Sequence, residues 1–171
     1  EFWDQLNAAL RSHKPRLRGT SLSHCNGRAN SGELLELPKD GGYKHGWRYD
    51  WSVGHYEQFR FAWVSEHGIN APGYVTEKIV DAYLAGAVPV YAGLAPEQLR
   101  QIFDPKSLIQ VFWDSESNAE GISRLIKATE DQAAYDALLR PDEPLVSPDA
   151  MRRFFSWHPA TWELYGDGLR Q

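Results

Sequence analysis

Between Phe2 and Leu10 the apolar residues fall at positions 2, 3, 6, 9 and 10, the spacing of one helical face, and Pro15 closes the stretch. A basic segment follows. Arg16 to Ser23 reads as a first strand, and Cys25 to Gly32 as a turn leading into a short helix through Leu37. Residues 38–55 read as loop, because Pro38, Gly41, Gly42, Gly46 and Gly54 interrupt them too often for a regular element. From Phe59 the pattern sharpens. Phe59 to Val64 is a short apolar strand broken only by Arg60, and residues 65–73 form a loop with two glycines and a proline. Val75, Ile79, Ala82, Tyr83 and Gly86 then share one helical face, with Thr76 placed to cap its start and Gly86 to end it. Ala87 to Tyr91 is a second strand, Pro96 to Phe103 a helix and Leu108 to Trp113 a third strand. Asn118 to Thr129 and Asp131 to Leu139 are two further helices.

Strands alternating with helices predict an α/β fold: a Rossmann-like, three-layer domain with a mostly parallel sheet, binding its ligand in the crevice beyond the carboxyl ends of the strands. At 171 residues the chain has the length of one such unit. The expected division is a nucleotide-binding domain over residues 1–147 and a tail over 148–171. Met151, Phe154, Phe155, Trp157, Trp162 and Leu164 make that tail helical and packed on the same domain, with a kink at Pro159.

Charge and composition narrow the function. A net charge of −5 gives no broad attraction to nucleic acid or anionic lipid, so any phosphate must be gripped locally. The lone Cys25 cannot make an internal disulfide. The six histidines include no His-x-x-x-His pair, so no metal site is expected. No apolar run approaches the roughly 20 residues that span a bilayer, and the start Glu1-Phe2-Trp3-Asp4 is not a signal peptide.

The stretch with the most chemistry is Gly73-Tyr74-Val75-Thr76-Glu77-Lys78-Ile79. It places a carboxylate and a lysine where a helix begins after a buried strand. The first amides of a helix lack internal partners, and a lysine in the first turn adds a full positive charge, a combination suited to a diphosphate. Glu77 would repel phosphate, so its carboxylate is assigned to sugar or ribose hydroxyls. An exposed Glu-Lys pair on a capped helix is the plainer reading of the same residues.

Three ordered blocks carry a family resemblance: Gly73 to Tyr83, then Ala85-Gly86-Ala87-Val88-Pro89-Val90-Tyr91 with Gly93, then Phe103-Asp104-Pro105-Lys106-Ser107-Leu108-Ile109. Together they resemble the donor-binding half of the alpha-1,3/4-fucosyltransferases, clearly from about Phe59 to Leu139 and more weakly back to Ser21-Leu22-Ser23-His24-Cys25. The resemblance implies one half of a GT-B glycosyltransferase, with GDP-fucose as donor substrate and no obligatory cofactor or metal. Carried over by position, Lys78 contacts the diphosphate, Glu77 the ribose hydroxyls and Tyr74 the guanine. Thr76 lies in the same block. Arg28 stands for the family's phosphate-binding arginine, whose guanidinium can grip phosphate oxygens with two parallel hydrogen bonds.

The chain also departs from the family. Where members read Phe-Glu-Asn it has Trp63-Val64-Ser65, so the glutamate is lost and Ser65 replaces the asparagine as a donor contact. Glu66 stands nearby, out of register. The resemblance further implies a general base within about 3 Å of the acceptor hydroxyl, carried by an amino-terminal acceptor domain for which 171 residues leave no room. A second Rossmann-like domain and a saccharide acceptor are the expected partners. Known members work in the Golgi lumen or at the bacterial inner membrane, and nothing in the chain chooses between them. Two functions therefore stand: the donor-binding part of an inverting glycosyltransferase that moves fucose or a related 6-deoxysugar, or a non-catalytic module that kept the fold and now binds nucleotide, glycan or protein.

Overall fold

The structure is a computed structural model that describes residues 2–14, 20–21, 33–34, 49–67, 74–112, 118–139, 144–147 and 149–150. Its centre is a parallel sheet of three strands, β3 (Phe61–Ser65), β4 (Val88–Ala92) and β5 (Ile109–Gln110), ordered β3-β4-β5. Phe61 pairs with Val88 and Ser65 with Ala92, while Val90 pairs with Ile109. Two strands precede it, β1 (Thr20–Ser21) and β2 (Glu33–Leu34), which form a separate parallel pair. The helix expected through Leu37 is thus a strand at Glu33–Leu34, where pairing with β1 overrides local propensity.

Side chains on the strands sort by the period of two. Val88, Val90 and Ala92 of β4, with Ile109 and Val111, face one core, joined by Leu6 and Leu10 of α1 (Phe2–His13), Leu125 and Ala128 of α5 (Ala119–Glu130), and Leu138 of α6 (Gln132–Leu138). Tyr91 of β4 and Ala62 and Val64 of β3 face the other, with Ile79 and Ala82 of α3 (Glu77–Leu84) and Leu99 of α4 (Pro96–Leu99). All five residues of β4 are buried because helices cover both faces. This is the three-layer α/β arrangement that the alternation predicted.

Pro89 lies inside this central strand, a position that normally needs a ladder donor. The Val88 amide donates to the Arg60 carbonyl on the β3 side, so the nitrogen of Pro89 faces the β5 side. There the ladder begins only at Val90, and no amide proton is required.

The junction from α3 to β4 follows the sequence closely. Gly86 takes φ +71°, its amide donates to the Tyr83 carbonyl, and the Ala87 amide donates to the Ala82 carbonyl. This is a Schellman ending, in which only a residue without Cβ enters the left-handed region cheaply. Two further expectations fail. Residues 49–56 form helix α2 (Tyr49–Tyr56) rather than loop: Gly54 is tolerated within it, and α2 packs on α3, a contact no local breaker count registers. The helix expected over Pro96 to Phe103 is a single turn, α4, followed by a 3₁₀ turn at Pro105–Ser107. Ala150 at the start of the tail is buried in the α3-side core, and the aromatic part of the tail lies outside the described residues. Among the described residues no helix is long and apolar enough to cross a membrane.

Candidate functional site

The carboxyl ends of β3 and β4 meet the start of α3, and a buried carboxylate lies at the junction. Alternation along β3 sends Ala62, Val64 and then Glu66 toward α3, and sends Phe61 and Trp63 toward the opposite core. The side chain of Glu66 is wholly inaccessible to solvent. Its Oε1 accepts a hydrogen bond from the Thr76 amide at 2.9 Å, and its Oε2 accepts one from the Thr76 hydroxyl at 2.7 Å. The Lys78 ammonium stands 3.5 Å from Oε2. Burying one carboxylate costs several kcal/mol. Hydrogen bonds to a charged group return about 1.5–3 kcal/mol each, and the positive pole of α3 adds up to about 2 kcal/mol.

Tyr91 and Gly93 complete the enclosure. The Tyr91 hydroxyl accepts from the Leu94 amide at 3.2 Å and lies on the same side of Gly93 as the Glu66 side chain. Burial holds its proton well past the usual phenol range, with the Glu66 charge acting in the same direction. Gly93 is required by close approach: a Cβ there would lie on the Tyr91 hydroxyl and 2.7 Å from Glu66 Cγ. The Glu66 amide donates to the Ala92 carbonyl at 2.9 Å, so the backbone continues the β3–β4 ladder through the residue that carries the charge.

The sequence-derived residues now separate. Lys78 and Thr76 come together around Glu66, with the ammonium partly exposed at 31%. Thr76 occupies the N-cap of α3 but does not cap it with its side chain, contrary to expectation; its hydroxyl is spent on Glu66. Its amide is spent there too, which leaves the amides of Glu77, Lys78 and Ile79 as the donors that helix geometry turns outward. Glu77 and Tyr74 are exposed beside this turn. Ser65 pairs with Ala92, and alternation sends it toward the opposite face of the sheet from Lys78. Arg28 lies outside the described residues. Sequence reasoning set Glu66 aside as out of register with a motif. The period-two row Ala62, Val64, Glu66, which continues two buried residues, was the signal that marked it.

A second buried carboxylate sits one turn along α3. Asp81 is 3% exposed, and its Oδ1 has no hydrogen-bond partner among the described residues. Burial, and then the Glu77 charge, push its pKa up to about 6. Burial raises the Tyr56 hydroxyl of α2 as well, with the Asp81 charge second. At the far side of the crevice Asn118 clasps both main-chain polar groups of one residue, Phe112. Its Oδ1 accepts from the Phe112 amide at 2.6 Å and its Nδ2 donates to the Phe112 carbonyl at 2.7 Å. Among the described residues no group of three or more His, Cys, Asp and Glu could hold a metal ion.

Neither a protein-family model nor a curated protein matches the chain. Solved structures do. A crystal structure of an alpha1,3-fucosyltransferase matches 87% of the chain at 25% identity with a TM-score of 0.56. Another, determined with GDP-fucose, matches 87% at 26% identity and a TM-score of 0.54, and one determined with GDP matches 86% at 25% and 0.51. The chain spans 36–37% of the length of these structures. With the parallel sheet and its two helical layers already in place, the likeness identifies the architecture: the chain has a fucosyltransferase-like α/β fold of the GT-B kind.

Proposed function

We propose that this chain is the donor-binding part of a glycosyltransferase that uses a GDP-sugar, fucose or a related 6-deoxysugar being the group moved. The observation that carries this reading is Lys78. Its ammonium is held at the start of α3, beside the carboxyl end of the parallel sheet, in a fold whose solved neighbours include structures with GDP and GDP-fucose. In this role Lys78 and the outward amides of α3 receive the diphosphate, Glu77 accepts from ribose hydroxyls and Tyr74 lies against the guanine. Arg28 adds a second cation on the phosphates. Transfer proceeds with inversion. The acceptor oxygen bonds to the anomeric carbon, the bond from that carbon to the β-phosphate oxygen breaks, and the acceptor proton passes to a base on a second domain. The charge left on GDP is offset by the ammonium and the guanidinium, with no obligatory metal.

A second reading is a non-catalytic binding module, favoured by Trp63-Val64-Ser65 in place of Phe-Glu-Asn. Calorimetric titration of the 171-residue chain with GDP and GDP-fucose separates binding from its absence. Saturable binding of both supports the donor reading, and no heat from either with a cooperatively unfolding chain removes it. Because the base is placed on a second domain, turnover is tested by release of GDP from GDP-fucose, in the presence of saccharide, by a protein that includes that domain; binding without release there selects the module.

A further inference from the structure

We propose that Glu66 is the positioning residue of the donor site: its buried carboxylate holds the Lys78 ammonium and the first turn of α3 in the attitude that meets a pyrophosphate. This rests on the donor reading above. The argument begins with how the carboxylate is satisfied. The Thr76 amide and the Thr76 hydroxyl both donate to it. Two neutral donors, one on each oxygen, serve its hydrogen-bonding demand from the protein side, and neither neutralises its charge.

Lys78 supplies that charge from a distance. At 3.5 Å the ammonium is farther from Oε2 than the 2.7–2.9 Å of a short charge-assisted bond, and its side chain remains 31% exposed. The lysine is therefore held by the field of a fixed anion rather than consumed by it, and its protons remain available to a ligand in the crevice. A lysine stem has four rotatable carbons and no preferred end point. Without Glu66 nothing among the described residues would fix where the ammonium stands. Glu66 also sets the helix, because the two bonds to Thr76 tie the N-cap of α3 to the end of β3. Gly93 lets the carboxylate pack this closely under β4. A carboxylate in a donor site would otherwise oppose phosphate; complete burial places this one behind the lysine.

The test is Glu66→Gln, which keeps the shape and removes the charge. In calorimetry with guanosine, GMP and GDP, the variant loses about tenfold in GDP affinity and less than about twofold in guanosine affinity. An equal loss across the three ligands assigns Glu66 a general structural role and overturns the proposal, as does GDP affinity that is unchanged or higher. Failure of the unaltered chain to bind GDP removes the donor reading instead. A ligand-free measurement covers the case in which the variant does not fold. Acylation of lysines by a water-soluble N-hydroxysuccinimide ester, read by peptide mass spectrometry, is about fivefold slower at Lys78 than at exposed Lys106 and Lys127 of the unaltered chain. In Thr76→Val, which keeps the amide bond to Glu66, that protection persists. Lys78 reacting as fast as Lys106 in the unaltered chain overturns the proposal.

Discussion

Helices α3 and α6 begin in opposite ways. At α6 the capping residue does its own work: Asp131 Oδ1 accepts from the amides of Ala133 at 2.9 Å and Ala134 at 3.3 Å, within three residues and at the surface. At α3 the N-cap residue Thr76 makes no side-chain cap, and its donors go to Glu66, ten residues earlier and buried at the end of β3. A local cap stabilises one helix and nothing more. A remote one joins a helix to a strand, carries a buried charge and keeps a lysine beside it. Only the second arrangement builds a place for a ligand.

The sharpest way to break this contrast is Lys78→Met, which keeps the apolar stem and removes the ammonium. GDP affinity is expected to fall about a hundredfold, the value of one strong charged contact of about 2.7 kcal/mol. The loss measured by calorimetry should shrink as salt is raised. Next in size is Gly93→Ala, whose methyl has no room between Tyr91 and Glu66. Overpacking there should cost about 2–3 kcal/mol in urea denaturation.

Asp81→Asn probes the other carboxylate of α3 through pH. Its folded pKa of about 6 lies above the 3.8 of an ordinary aspartate, so the native state holds this proton more tightly than the unfolded chain does. The stabilisation from that proton is complete below about pH 4 and is lost as pH rises through 6. The variant should therefore match the parent at pH 4 and exceed it by about 2 kcal/mol at pH 8. A gap that does not widen with pH removes Asp81 as its source. The smallest effect is at α6, where Asp131→Ala should cost about 1 kcal/mol in stability. It should leave GDP affinity untouched; a change in affinity would erase the distinction between the two helix starts.

The same contrast explains how far the sequence could be read. The β3-α3-β4 order, the ending at Gly86 and the break between α5 and α6 at Asp131 were legible because each is written in neighbouring residues. Lys78 and Thr76 were legible as a motif and meet at one place. Glu66 was not, since its partners lie ten residues away and a motif alignment sets it aside. Helix α2 was hidden for a related reason, its glycine and the glycines before it outweighing a packing contact with α3 that only the fold supplies. The family resemblance also gave Ser65 a contact with the nucleotide, whereas strand alternation turns it to the α5 side.

Pro89 has a final consequence for how accurately the crevice is assembled. A nitrogen without a proton on the β5 side of the central strand means that sliding β5 toward the beginning of β4 meets no donor. A one-residue slip either way would turn Ile109 and Val111 out of their core. The third strand is thus locked in a single phase, and because Asn118 grasps the main chain just beyond it, the elevation of α5 over the sheet is locked as well.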